Sequence, residues 1–254
     1  MHNFQPKTLF IGKNAIYLPS CHSTNDIAAE IIQNKKAFDG TIVITSDQTA
    51  GRGQRGNAWV TLPNQNITAS IILKPDFLNI NQQFRLNIAI SLGIFEFLCK
   101  YLAKDLSVKW PNDIYIGNRK MGGVLIENAI AGQRISFSII GIGLNINQLE
   151  FLNDRAISLR LATGKDEFDI EKLLEQLCAC IEKYYLQLKA GHFELQKKKY
   201  LERLFRFGET HQYVQNGNKF LGKIIDVAET GHLIIEVGEE IKWFDFKEVS
   251  FEIN

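Results

Sequence analysis

Strand-like runs crowd the middle of this chain. Val108–Trp110, Asp113–Ile116, Met121–Glu127 and Ile135–Ile140 follow one another closely, and the last continues into Gly141-Ile142-Gly143-Leu144-Asn145-Ile146-Asn147. Upstream, Thr8–Ile11, Ala15–Leu18, Thr41–Ser46 and Ile67–Leu73 read the same way. A chain with this many short apolar runs must build a sheet. Helical periodicity then supplies the cover: Phe84 to Lys100 repeats Leu86, Ile90, Ile94, Phe97 and Leu98, and Asp169 to Ala190 repeats Leu173, Leu177, Ile181 and Tyr184. A further helix is expected over His192 to Phe205. The expected fold is α+β, a mixed sheet with helices packed against it.

Around Arg206–Gly208 the pattern changes. Tyr213–Val214, Phe220–Val227, Leu233–Val237, Ile241–Phe246 and Val249–Phe251 are short alternating runs, broken by turn pieces such as Asn216-Gly217-Asn218 and Glu229-Thr230-Gly231. Residues 1–206 are therefore expected to form one domain and 207–254 a small SH3-like β-barrel. No internal repeat or flexible linker separates them.

With 45% hydrophobic residues, 17 Phe and only 5 Pro among 254, the chain can bury a sizeable core. Its 29 Lys+Arg against 28 Asp+Glu create no bulk field toward nucleic acid or anionic lipid, so any polyanion must be held by local basic residues. Cys21, Cys99, Cys178 and Cys180 are too scattered for a disulfide framework and form no CxxC pair, so they are expected to be free buried thiols; no metal site is expected. The start lacks a basic segment followed by an apolar one, and Ile88 to Cys99 is too short and too polar to cross a bilayer. A cytoplasmic protein without membrane contact is the expectation.

Chemistry concentrates in five segments. Ser23-Thr24-Asn25-Asp26 resembles a capping box opening a helix with Ile27, Ala28, Ile31 and Ile32 on its apolar side, where free backbone N–H groups await a polar ligand. Gly51, Gly53 and Gly56 spell a dinucleotide-binding fingerprint, but Trp59-Val60-Thr61-Leu62-Pro63 follows where that fingerprint needs a helix. What remains is a glycine-rich loop carrying Arg52 and Arg55, suited to wrapping an anion or serving as a basic surface loop. Lys109-Trp110-Pro111-Asn112-Asp113 lies between two strands; Pro111 fixes the directions of its neighbours, or simply makes a hairpin turn. Arg119-Lys120-Met121-Gly122-Gly123 offers either a phosphate or carboxylate contact or an exposed charge pair at a sheet edge. In the Gly141–Asn147 segment, Asn145 and Asn147 share one face, either for a nucleotide or for local backbone groups.

In this order, the segments resemble the biotin protein ligases. The resemblance rests on Ser23-Thr24-Asn25, on Gln48-Thr49-Ala50-Gly51-Arg52-Gly53 with Trp59, on Lys109-Trp110-Pro111-Asn112-Asp113, on Lys120 with Gly122-Gly123-Val124-Leu125-Ile126-Glu127, and on Gly141-Ile142-Gly143-Leu144-Asn145. It extends to the tail Trp243-Phe244-Asp245-Phe246-Lys247-Glu248-Val249. It implies a fold akin to class II aminoacyl-tRNA synthetases plus a C-terminal SH3-like domain. It also implies a two-step reaction: biotin and Mg²⁺–ATP give biotinyl-5′-AMP, and the biotinyl group passes to a lysine of a biotin carboxyl carrier protein, as in acetyl-CoA carboxylase. Relatives occur as monomers and homodimers. Many carry an N-terminal DNA-binding domain, for which the segments here, starting almost at Met1, leave no room; DNA-binding regulation is not implied.

By resemblance, Ser23, Thr24 and Gln48 would bond the ureido ring of biotin, with Asn25, Gly51, Gly53, Gln54 and Gly122 in the same binding set and Arg52 closing over the ligand. Trp59 would cover the valeryl chain or the adenylate, and Lys120 would meet the biotin carboxylate and the phosphate. Asn145 would meet the nucleotide, with Arg55, Lys109 and Asn112 also on the ATP side. Arg52, Lys109, Lys120 and Asp113 are the catalytic candidates, Asp113 as the group that orients or deprotonates the acceptor lysine. Several relatives have arginine in place of Gln54, so Arg52 and Arg55 are expected to carry more of the anion binding here. Lipoate ligases are the enzymatic rival, but their Arg-Arg and Gly-Gly-Gly loop is not visible. A non-catalytic biotin sensor is the other rival, and it would need no ATP-side cations.

Overall fold

The computed structural model describes residues 4–252. The first sheet has seven strands. They are β1 (Ala15–Cys21), β2 (Ile42–Gln48), β3 (Asn66–Leu73), β4 (Leu106–Lys109), β5 (Asp113–Ile116), β6 (Arg119–Ala131) and β7 (Arg134–Asn145), in the order β1-β2-β3-β7-β6-β5-β4. β1 and β2 run parallel, joined by α1 (Thr24–Gln33), and every other pair is antiparallel. The sheet is mixed, as its short connections require.

β3 is buried along its whole length. On one face, Ile42, Ile44, Ile67 and Ile71 join the main core with α2 (Gln83–Leu98) and α4 (Ile170–Lys189), which pack on each other. Gly93 permits that approach, since a Cβ there would stand 2.9 Å from the Ile181 Cα. On the other face, α1 lays Ala28 and its neighbours Ile27, Ile31 and Ile32 over Val43, Ile72 and Ile139. This helix covers only part of the face, and the uncovered part becomes the floor of a cleft.

α3 (Leu159–Thr163) and α5 (Phe193–Glu202) lead toward a second sheet. Its strands, β8 (Thr210–Gln215), β9 (Asn218–Val227), β10 (Leu233–Val237), β11 (Glu240–Phe244) and β12 (Ser250–Phe251), are antiparallel in the order β11-β10-β9-β8-β12. This arrangement accords with an SH3-like domain. It is fixed to the first sheet where the chain turns at Trp110: the indole Nε1 donates to the Gly231 carbonyl at 2.8 Å, and the ring packs 5.3 Å from that of Phe246. Among the described residues, no helix is long and apolar enough to cross a membrane.

Three expectations need correction. Thr8–Ile11 is not a strand, because its backbone finds a different acceptor: Leu9, Phe10 and Ile11 donate to the Glu182 carboxylate at 2.6, 2.8 and 2.9 Å. Ser23 occupies the N-cap of α1 without a side-chain capping bond, so the capping box is not formed. Cys178 and Cys180 are buried, but Cys21 is only partly covered and Cys99 is exposed at the end of α2.

Candidate active site

The uncovered face of the first sheet, the N-terminus of α1, the glycine-rich loop, the β4–β5 turn and the last strand of the second sheet enclose a cleft of about 610 Å³. Its floor is small by necessity. A Cβ at Gly141 would fall on Asn25 Oδ1, and one at Gly143 would run into the Trp59 indole, so the two glycines of β7 make room for groups reaching over the sheet.

At one end the cleft is polar, uncharged and buried. The Thr24 backbone N–H and hydroxyl donate to Gln48 Oε1 at 2.9 and 3.3 Å, tying the start of α1 to the end of β2. Ser70 Oγ on β3 stands 2.7 Å from Thr24 Oγ1 and 2.6 Å from Asn25 Oδ1, and Asn25 Nδ2 donates to Glu127 at 2.6 Å. Ser23, Thr24, Asn25 and Ser70 are all almost completely buried. Such a set presents donors and acceptors with fixed directions and no net charge, suited to an uncharged ligand head that has both.

The other end is ionic. Lys109 and Asp113 are cross-strand partners in the β4–β5 hairpin, whose turn runs through a cis Trp110–Pro111 peptide bond. Asp113 Oδ1 lies 2.6 Å from the Lys120 ammonium on β6, which also stands 5.8 Å from the centre of the Trp59 ring. Lys109 Nζ sits 5.1 Å from the Tyr115 ring centre and 4.8 Å from that of Phe251. Burial pulls the Lys109 amine below the ordinary lysine value; Asp113 opposes that shift, and Lys120 and Arg206 add to it. Burial likewise pushes the Tyr115 hydroxyl up to about 12.

The glycine-rich loop folds back on itself. Gln54–Gly56 makes one 3₁₀ turn, Gly53 N–H bonds the Asn57 carbonyl at 2.6 Å, and Trp59 N–H bonds that of Gly51 at 2.9 Å. No helix follows, which is why the dinucleotide fingerprint fails. The Arg52 guanidinium is held by Asp26 at 2.5 Å and Glu127 at 3.1 Å. Burial works against its charge, but Glu127 and Asp26 more than compensate and hold it above the ordinary arginine value. Among the described residues, the buried Trp59 Nε1 finds no acceptor.

Of the residues singled out by sequence, Ser23, Thr24, Asn25, Gln48, Arg52, Gly53, Gln54, Trp59, Lys109, Asn112, Asp113 and Lys120 meet around this one cleft. Gly51 and Gly122 lie behind it: a Cβ on Gly51 would strike the Trp59 carbonyl, and one on Gly122 would strike Leu144. Asn145 does not line the cleft, since its Nδ2 is turned to the Ile157 carbonyl at 3.3 Å. Asn147 is likewise bonded in both directions to the Phe168 backbone. The side chain of Arg55 lies outside the described residues. Gly123 of the Lys120 segment also lines the cleft, and sequence reasoning gave no role to Thr68, Lys247, Val249, Ser250 and Phe251, which line it as well. Lys247 and Val249 fall within the tail that the resemblance covers but were given no role there, and Ser250 and Phe251 carry no motif that could have announced them.

Residues 17–145, which include both ends of the cleft, match the model of the biotin/lipoate A/B protein ligase family. The chain belongs to that family. The bifunctional ligase/repressor BirA of Bacillus subtilis is 30% identical over 244 residues, covering 94% of this chain and 74% of that protein. The biotin–[acetyl-CoA-carboxylase] ligase of Paracoccus denitrificans is 28% identical over 196 residues, 73% of this chain and 80% of that one. Among solved structures, the biotin protein ligase from Aquifex aeolicus in complex with biotin and ATP superposes with a TM-score of 0.77 at 30% identity, covering 95% of this chain and all of that one. Family membership accounts for the order of the five segments. It also agrees with a mixed sheet followed by a small C-terminal β-unit, the architecture expected from sequence.

Proposed function

We propose that this chain is an ATP-dependent biotin protein ligase, which converts biotin and ATP to biotinyl-5′-AMP and pyrophosphate and then passes the biotinyl group to one lysine of a biotin carboxyl carrier protein. The observation that carries the reading is the convergence, in one cleft, of a buried uncharged polar set and an ammonium-rich end.

The biotin carboxylate is itself a nucleophile, so adenylation needs no general base; it needs two anions held together and the charge on the α-phosphate offset. Ser23, Thr24 and Gln48 take the ureido ring, with Asn25 holding their geometry. Trp59 lies over the chain that joins ring to carboxylate. Lys120 meets the carboxylate and phosphate, and Lys109 and Asn112 serve the nucleotide side. ATP brings Mg²⁺ bound to its phosphates; among the described residues no cluster of three acidic, His or Cys side chains forms a separate metal site. In the second step, the acceptor lysine must lose a proton, and Asp113 is the carboxylate placed to orient or accept it. We place the division between the catalytic part and the C-terminal β part at residues 206 and 207. An ATP-consuming protein with free thiols suits the cytoplasm.

Biotin-dependent exchange of labelled pyrophosphate into ATP tests the reading. Exchange with biotin is the expected result. Exchange with lipoate instead, or tight biotin binding without exchange, would overturn it.

A further inference from the structure

The C-terminal sheet does more than flank the cleft. Its last strand, β12, sends Phe251 back to the β4–β5 hairpin, where Phe251, Phe205 and Tyr115 form a run of rings with centres 6.2 and 5.6 Å apart. The Lys109 ammonium lies against the Tyr115 and Phe251 rings at 5.1 and 4.8 Å, within reach of the attraction between a cation and an aromatic face. Lys109, Tyr115 and Phe205 belong to the hairpin and the segment after α5, so without Phe251 one side of this seat is missing.

We propose that Phe251 is a positioning residue for Lys109: with Tyr115 it seats the ammonium at the nucleotide side of the cleft, so that a residue of the second sheet sets the aim of a charge used in the first. This rests on the ligase reading for what the charge does, but the seat itself does not. The groups facing Lys109 are Asp113 and Tyr115 on β5, Lys120 on β6 and Arg206 after α5. Tyr115, pushed to about 12, stays neutral well past the pH at which a desolvated lysine loses its proton.

Phe251→Leu keeps an apolar cover and removes the ring. The amine then remains desolvated but loses the attraction that favours its charged form, so its proton should leave at lower pH than in the wild type. In pyrophosphate exchange, kcat should fall by about tenfold, within the range for a partly desolvated cation–ring contact, while KM for biotin stays within about twofold. The alkaline limb of the pH profile should move to lower pH. Phe251→Tyr should restore both. Lys109→Ala combined with Phe251→Leu should be no worse than Lys109→Ala alone. An unchanged limb with unchanged kcat in Phe251→Leu, or multiplicative losses in the double variant, would overturn the proposal.

A second measurement separates this from the ligase reading. Titration of ¹³C-methylated Lys109 by NMR in wild type and Phe251→Leu needs no turnover. A lower Lys109 midpoint in Phe251→Leu supports the seat even if exchange with biotin is absent, and equal midpoints refute it even if exchange is present.

Discussion

The Lys120 ammonium and the Asp113 carboxylate face each other at 2.6 Å across strands β6 and β5, both partly open to the cleft. In this state each has the other as counter-ion. Under the proposed ligase reading, a ligand carboxylate or phosphate that took Lys120 would free Asp113 for the acceptor lysine without moving either strand.

Removing the two partners should therefore have different consequences. Lys120→Ala is expected to depress biotin-dependent pyrophosphate exchange by about 100-fold, the scale for one preorganised charge in a water-poor site. Asp113→Ala should leave adenylate formation less affected but slow biotin transfer from preformed biotinyl-5′-AMP to a carrier domain. An unchanged transfer rate would remove Asp113 from the second step.

The Gln48–Thr24 contact predicts selectivity. Gln48→Ala leaves the buried Thr24 N–H and hydroxyl without their acceptor. The Gln48 contact to the ureido ring lost with it should cost about 1–3 kcal/mol, read by calorimetry as roughly 5- to 150-fold weaker biotin binding. ATP affinity measured in the same variant should hardly change.

Arg52 lines the cleft and makes its ion pairs with Asp26 and Glu127. Glu127→Gln weakens that hold, and its remaining carbonyl can still accept from Asn25. Trypsin cleavage after Arg52 in the ligand-free protein should then accelerate by up to about fivefold, the range for a half-exposed pair. With biotin and ATP present, wild type and variant should be cut alike.

Glu182 supports the fold far from the cleft. The residue is 5% exposed, and its carboxylate accepts three backbone N–H groups from residues 9–11. Glu182→Ala should destabilise the protein by about 3 kcal/mol through those unpaired donors. That corresponds to a drop in Tm of roughly 6–12 °C by calorimetry. The kcat of the folded fraction should stay at the wild-type value.

Local pattern was enough for most of the architecture. Alternation gave β5 and β10 at their observed limits, and heptad-like repetition gave α2 and α4 to within two residues, because each buries one face against a partner and must show that face in its spacing. The same logic misread Thr8–Ile11, whose apolar residues look like a strand but whose amides are claimed by a carboxylate more than 170 residues away. Nothing local distinguishes a ladder acceptor from a distant Glu182.

The five motif segments announced their residues but not their directions. Side-chain identity and spacing brought Thr24, Gln48, Lys109, Asp113 and Lys120 into consideration, since charge, hydrogen-bonding capacity and turn geometry are written in the residue types. Which of these meet was decided only when β7 was inserted between β3 and β6, bringing β3, α1 and β6 to one cleft. That same packing turned Asn145 toward Ile157, tied Arg52 to Asp26 and Glu127, and brought Phe251 from the far end of the chain to Lys109. A sequence specifies what each group can pair with; burial and strand order choose the partner, because only the folded chain fixes which candidates lie within bonding distance.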